Sequence, residues 1–416
     1  MEYGCIGEKL GHSFSKEIHN ELADYDYSLL ELTREELFEF FSKKEFKAIN
    51  VTIPYKRDVI EFLDWISDEA KAIDAVNTIV NKNGRLYGYN TDFYGLKSLI
   101  ERAGVSLKGK TVAVLGSGGT SNTAFAVANA LESRFVLKVS RSKKDGYITY
   151  EELYEKYNDC EIVINTTPCG MYPKTGVSAV DLDKLPKVEA VFDAVYNPLK
   201  SQLVLDARAK NITAVGGLYM LVSQAAYAVE KFIEQPVDDT KVEEIFKNLY
   251  KQKMNIALIG MPASGKTSVG KLISQKLGKV FVDSDDEITK TENRNIPEIF
   301  EESGESYFRE IEHSVIKEIS KSNSQIISTG GGAVLNPENI ENLKGNARIY
   351  FLDRPLDMLV TTSDRPLSSN RSDLEKRYKE RYELYKLSAD VIVNGSGAVD
   401  EVAKIIQEDY YEYSCD

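Results

Sequence analysis

The residues best placed for chemistry are Gly260, Gly265, Lys266 and Thr267, which fill the pattern G-x-x-x-x-G-K-[ST]. Small residues let backbone N–H groups wrap phosphate oxygens, and a following helix adds the positive end of its dipole. The lysine reaches the outer phosphates and the hydroxyl ligates Mg2+. Met261, Pro262, Ala263, Ser264 and Ser268 complete this loop. Further on, Asp283 and Asp285 stand two positions apart at an expected strand end, a spacing that turns both carboxylates to one side. Close acids beside a phosphate loop suit Mg2+ and a substrate hydroxyl. Gly330, Gly331 and Gly332 end another strand, where backbone must approach something closely. Arg309, Arg365 and Arg381 are the cations able to grip carboxylate or phosphate groups bidentately.

A second set of such residues fills the first half. Lys56 and Asp92 each follow a strand-like segment, and such a pair can donate and shuttle a proton at a carbonyl or hydroxyl. Their spacing alone does not say that they meet. Ser13 and Ser15 precede a helix expected to start near Lys16, and either hold a carboxylate or cap that helix. Residues 111–131 read as strand, glycine turn and helix. Gly116, Ser117, Gly118, Gly119 and Thr120 there form a variant of the dinucleotide fingerprint. The next strand, 135–139, runs into Ser140, Arg141, Ser142, Lys143 and Lys144, with no acid to hold the ribose of NAD. Residues 101–150 carry eight Lys or Arg against three Asp or Glu, which suits the 2′-phosphate of NADP. Gln224 is a polar residue in the apolar helix expected over 216–233, either exposed or facing a ligand.

The elements that must position these residues are α/β throughout. A length of 416 residues suggests two or three domains, and a phosphate loop starting near residue 255 leaves room for something complete before it. The composition, 42% hydrophobic and 28% charged, is ordinary for a soluble chain. No apolar run approaches the roughly 18 residues of a membrane span, and no secretory signal is visible, so no membrane partner is expected. Cys5, Cys160, Cys169 and Cys415 are scattered, which fits a reducing, cytoplasmic setting. A net charge of −13 without a basic stripe argues against a nucleic-acid partner and leaves small anionic molecules as the expected ones. Val242, Ile245, Phe246, Leu249 and Tyr250 have helical spacing. That predicts a packed helix, not a flexible linker, joining a first domain (1–253) to a second (254–416), with the two side by side.

The motifs HSFS, NVTIPYK, AVNT, NTD, GSGG, NTTPCGM, DAVYNP and GGLYMLVSQA, in this order, closely resemble shikimate dehydrogenase over about residues 1–250. The resemblance implies a substrate lobe (1–95 and 216–250) and a Rossmann NADP lobe (96–215), and reduction of 3-dehydroshikimate to shikimate with NADPH. It makes Lys56 and Asp92 the catalytic pair. It also implies that Ser13 and Ser15 bind the carboxylate, that Thr52, Asn77 and Gln224 bind ring hydroxyls, and that Tyr196 and Gly217 lie near the nicotinamide. Thr166 joins the cofactor set. Lys16 and the run Ser140-Arg141-Ser142 depart from the family's usual proline and Asn-Arg-Thr.

Residues 254–405 resemble shikimate kinase through GKT, DSD, GESYFR, STGGG, DRPL and R-x-x-L-Y. The resemblance implies a P-loop α/β domain with a parallel sheet and ATP-dependent phosphorylation of the 3-hydroxyl of shikimate. Lys266 would bind the β- and γ-phosphates, Thr267 and Asp283 Mg2+, and Asp285 would take the hydroxyl proton. Arg309 and Arg381 would bind the shikimate carboxylate, Gly331 and Gly332 would line its pocket, and Arg365 would close over the phosphate from a lid. Ala263 replaces a glycine usual in this loop, so its Cβ is expected to strain a left-handed backbone. The whole reads as a bifunctional enzyme of consecutive shikimate-pathway steps. A one-activity enzyme with a degenerate kinase half, or a dehydrogenase preferring quinate and NAD, are the competing readings.

Overall fold

The computed structural model describes residues 1–10, 14–359 and 371–415. Ser13 and Arg365 lie outside them. The chain divides into two compact units. The first comprises residues 1–171, 177–196 and 201–248; the second comprises 172–176, 197–200 and 249–416.

The first unit opens with a mixed sheet of β1 (Tyr3–Gly7), β2 (Tyr27–Glu31), β3 (Ala48–Val51), β4 (Trp65–Ile66), β5 (Thr78–Lys82) and β6 (Arg85–Tyr89), in the order β2-β1-β3-β5-β6-β4. β5 runs antiparallel to both β3 and β6, whereas β1, β2 and β3 are parallel. The ends of β1, β3 and β6 and the start of β5 therefore share one sheet edge. That edge gathers Thr52, Lys56, Asn77 and Asp92 from positions far apart in sequence. Every residue of β3 is buried, as a central strand covered on both faces must be. Phe41, Leu37 and Tyr55 pack on one side of the sheet, and Ala228 and Phe232 from the helix Leu218–Ile233 on the other.

The same unit continues with a wholly parallel sheet of β7 (Thr111–Leu115), β8 (Phe135–Val139), β9 (Ile162–Asn165), β10 (Ala190–Asp193) and β11 (Thr213–Val215), ordered β11-β10-β9-β7-β8. β7, TVAVL, is buried at all its positions. The connections reverse direction between β7 and β9, which is where a doubly wound sheet leaves a ligand crevice beyond its carboxyl ends. The helix Asp239–Lys253 buries Val242, Ile245, Phe246, Leu249 and Tyr250, and the division between the two units falls inside it.

The second unit holds the parallel sheet of β12 (Asn255–Ile259), β13 (Val280–Asp283), β14 (Gln325–Ser328), β15 (Ala347–Asp353) and β16 (Val391–Asn394), ordered β13-β14-β12-β15-β16. β12 is buried throughout and sits at the reversal point. The helix Val399–Glu412 carries the acidic tail onto the domain, with Tyr410 and Cys415 buried. Among the described residues, no helix is long and apolar enough to cross a membrane.

Candidate functional sites

At the edge of the first sheet, Lys56 Nζ lies 2.5 Å from Asp92 Oδ2, the two side chains 23% and 14% exposed. Lys56 follows β3, and its carbonyl accepts from Val76 N–H at 2.8 Å. Asp92 sits in the first turn of the helix Thr91–Arg102. Tight backbone on both sides leaves this pair little freedom, and partial burial keeps it open to a ligand.

Beside it, buried Asn77 accepts through Oδ1 from Thr91 N–H at 2.7 Å and from the Thr91 and Thr78 hydroxyls at 3.2 and 3.0 Å. Thr91 Oγ1 also lies 3.3 Å from Gln224 Oε1. Sequence reasoning passes over Thr91, although it stands next to Asp92 in NTD. It is the link that ties Asn77 to Gln224, and Gln224 is half-buried against it. Gly95 lets the two helices meet, since a β-carbon there would come within 2.8 Å of Gln224 Cβ. Thr52 donates its N–H to Ile6. Ser15 is the first residue of the helix Ser15–Leu22 and Phe14 holds the cap position, so Ser15 is not the helix cap. Phe14 packs its ring 5.5 Å from that of Tyr196, whose hydroxyl burial pushes to a higher pKa. His19 is buried and stacked 3.9 Å from Tyr27, and burial pushes its imidazole down to about 3, as a packing role requires.

The glycine loop after β7 faces open space. β-carbons built on Gly118 and Gly119 meet no atom within 4 Å, and Gly118 caps the helix Gly119–Ala130 without a side-chain hydrogen bond. That is the form of a cradle for an anionic dinucleotide. Gly116, at φ 120, packs where a β-carbon would lie 2.7 Å from Thr166 Oγ1. Ser117 accepts from Lys144 Nζ at 2.9 Å, so the basic turn reaches back to the loop. Ser140 is buried, Arg141 and Ser142 are exposed, and Lys143 pairs with Glu152. Gly217 lies against Ala194, its N–H donating to Val195 O at 2.9 Å.

Asp193 organises the loop that carries Tyr196. It accepts from Ser201 Oγ, Val195 N–H and Asn165 Nδ2. Burial pushes its carboxyl up to about 6, against those three donors. A folded-state pKa above the unfolded one means that its contribution to stability is full below about pH 4 and is lost as pH rises through about 6. Unfolding free energies measured from pH 4 to pH 7 should therefore fall further for the natural chain than for Asp193→Asn, by up to about 3 kcal/mol. Parallel slopes would refute this.

In the second unit the phosphate loop joins β12 to the helix Lys266–Leu277. Lys266 Nζ donates to the carbonyls of Gly260 and Met261, both at 2.9 Å, and so braces the loop. Ser264 Oγ is buried without a partner and Gly265 lies at φ 96. An unpartnered hydroxyl inside a helix-terminal loop fits a phosphate group. Ala263 takes φ 64, the left-handed conformation its position is expected to need. That conformation costs an L-residue about 1–2 kcal/mol. Ala263→Gly should therefore stabilise the second unit by about 0.5–1 kcal/mol after the flexibility of glycine in the unfolded chain is offset. Chemical denaturation tests this, and a destabilised variant would contradict it.

Thr267 Oγ1 donates to Asp283 Oδ2 at 2.9 Å, placing two oxygen ligands together for a hard cation. The acids are arranged differently from the strand-face expectation. β13 ends at Asp283, whose side chain caps the helix Ser284–Glu292 by accepting from Asp285 N–H at 3.1 Å. Asp285 thus belongs to a helical first turn, because the capping bond ends the strand one residue too early for strand alternation to apply. The three glycines pack closely. β-carbons would lie 2.8 Å from Asp285 Oδ1 at Gly330, 2.6 Å from Pro262 Cδ at Gly331 and hard against the Arg309 guanidinium at Gly332. Gly331 O accepts from Arg381 Nη1 at 2.9 Å and Tyr385 OH at 2.5 Å. So Asp285, Arg309, Arg381 and the phosphate loop converge on the glycine run.

Glu312, one turn after Arg309 and 1% exposed, accepts from Arg309 Nη1 at 2.7 Å. Burial raises its pKa, and Arg309 and Arg381 oppose the shift. Sequence reasoning misses it; the three-residue spacing in REIE is the available signal.

Two families match this chain. "Shikimate dehydrogenase substrate binding domain" matches residues 5–79, and "Shikimate kinase" matches residues 262–410. The NADP(+) shikimate dehydrogenase of Clostridium perfringens (strain 13 / Type A) is 40% identical over 265 residues, 59% of this chain and 97% of the relative. Among solved structures, a chorismate mutase/shikimate 5-dehydrogenase fusion protein from Clostridium acetobutylicum is 37% identical with TM-score 0.56, covering 59% of this chain and 96% of that one. A shikimate 5-dehydrogenase from Thermus thermophilus in complex with NADP(H) and shikimate is 26% identical with TM-score 0.54, covering 60% of this chain and 99% of that one.

Proposed function

The chain belongs to the shikimate dehydrogenase family and carries a shikimate kinase domain after it, and from that premise we propose that it reduces 3-dehydroshikimate to shikimate with NADPH and then phosphorylates the 3-hydroxyl of shikimate with ATP and Mg2+. The observation that carries this reading is the Lys56–Asp92 pair in the first unit, with a separate phosphate loop, Thr267–Asp283 pair and arginine-lined glycine run in the second.

In the first site, bound NADPH supplies the hydride. Lys56 gives its proton to the ketone oxygen as that oxygen becomes a hydroxyl, and Asp92 holds the ammonium in line and accepts from a ring hydroxyl. Asn77 and Gln224, tied through Thr91, and Thr52 hold the remaining hydroxyls; Ser13 and Ser15 hold the carboxylate. Gly116–Gly119, Thr120, Thr166 and Gly217 hold the dinucleotide, Ser140, Arg141, Ser142 and Lys144 its 2′-phosphate, and Tyr196 flanks the reacting ring.

In the second site, bound ATP supplies the phosphoryl group. Asp285 takes the proton of the attacking hydroxyl, and Arg309, seated by Glu312, grips the carboxylate with Arg381. Lys266 leaves its loop carbonyls for the outer phosphates, Thr267 and Asp283 hold Mg2+, and Arg365 closes over the phosphate. The molecule would work in the cytoplasm on small substrates alone.

Separate assays test the two halves. NADPH oxidation should depend on 3-dehydroshikimate and proceed far faster than NADH oxidation; ADP release should depend on shikimate and Mg2+. A preference for NADH and quinate would overturn the first assignment. Shikimate-independent ADP release would overturn the second.

A further inference from the structure

We propose that Arg354 is a nucleotide-binding residue of the second unit, one that grips the phosphates of the triphosphate from the side of the loop opposite the glycine run. The inference rests on the reading of that unit as an ATP-dependent kinase. β15 lies directly beside β12, so the residue following β15 emerges next to the phosphate loop at the same carboxyl edge. A β-carbon built on Gly265 would lie 3.9 Å from Arg354 Nη1, which puts the guanidinium over the start of the helix Lys266–Leu277. Arg354 Nε is buried and has no hydrogen-bond partner. Among the described residues no carboxylate pairs with this arginine. Its neighbour Asp353 is turned away, accepting from Tyr382 OH at 3.0 Å.

The backbone there is fixed. Gly395 N–H donates to Asp353 O at 2.8 Å, and a β-carbon on Gly395 would come within 3.4 Å of Arg354 N and Cβ. A held, half-buried guanidinium with an unsatisfied N–H is costly unless an anion meets it. Arg309 and Arg381 also bury an unpartnered Nε, but their terminal nitrogens are engaged, Arg309 with Glu312 and Glu305 and Arg381 with Gly331 O. They border the loop at Pro262 through Gly331, whereas Arg354 borders it at Gly265, where a helix N-terminus gathers phosphate charge. The tetrapeptide DRPL occurs twice, at 353–356 and 364–367, so nothing in the linear sequence singles out the first copy.

The test uses the full chain with Arg354→Met and Arg354→Lys. Arg354→Met should raise the KM for MgATP about tenfold or more, weaken inhibition by inorganic tripolyphosphate in parallel, and leave the KM for shikimate within about twofold. Arg354→Lys should recover part of both losses by keeping the charge. Unchanged ATP and tripolyphosphate affinities in Arg354→Met would overturn the inference. So would weaker ATP binding with unchanged tripolyphosphate inhibition, which would place the guanidinium on the base. If the natural chain binds neither ATP nor tripolyphosphate, the kinase reading itself falls, and the inference with it.

Discussion

Lys56→Met should lower dehydrogenase turnover by about 10²–10⁴-fold while phosphorylation of added shikimate proceeds at the rate of the natural chain. The methionine keeps nearly the length of the side chain and removes the group placed to give a proton to the ketone oxygen. It also strands Asp92, whose partner at 2.5 Å is gone. Lys56→Arg should fail nearly as badly, because a guanidinium keeps its proton throughout the accessible pH range. Steady-state rates in both directions, with the KM for the dinucleotide unchanged, measure the effect. A Lys56→Met chain retaining more than a tenth of the turnover would remove Lys56 from the proton path.

Asp285→Asn should have the mirror effect: a loss of about 10²–10⁴-fold in phosphoryl transfer with dehydrogenase turnover intact. The amide has nearly the shape of the carboxylate, so the close approach of Gly330, with its β-carbon position 2.8 Å from Asp285 Oδ1, is preserved. What is lost is the capacity to accept the hydroxyl proton. The KM for ATP should hardly move, because Lys266 and Thr267 belong to the phosphate loop and the helix after it, apart from the helix that carries Asp285. ADP release dependent on shikimate reports the rate, and near-natural turnover in Asp285→Asn would point to another proton acceptor.

How much of this is legible in the sequence depends on whether a residue's role is local. The phosphate loop is legible because G-x-x-x-x-G-K-T acts through contiguous backbone, whereas the left-handed Ala263 is expected only from the resemblance to a family with glycine there. The α/β class is legible in β7 and β12, whose continuous apolar runs match strands buried on both faces. The Lys56–Asp92 pair is not legible from spacing. It exists because β6 runs back parallel to β3, across β5, and brings both strand ends to one edge. Asp285 falls on a strand face only if period-two alternation is carried past Asp283. A side-chain cap bond has already started a helix there. Thr91, Glu312 and Arg354 escape sequence reasoning for a common reason. Each takes its place from neighbours distant in sequence or one helical turn away: Thr91 from Asn77 and Gln224, Glu312 from Arg309, and Arg354 from the strand order that sets it beside Gly265. Only the REIE spacing around Glu312 leaves a local trace.

The most direct measurement is a single incubation of the purified chain with 3-dehydroshikimate, NADPH, ATP and Mg2+, with products identified by mass. Shikimate 3-phosphate should accumulate, because reduction by the first unit supplies the hydroxyl acid that the second phosphorylates. Shikimate accumulating with no phosphorylated product would contradict the two-activity assignment and leave a dehydrogenase joined to an inactive kinase fold, with the strained Ala263 the first residue to revert.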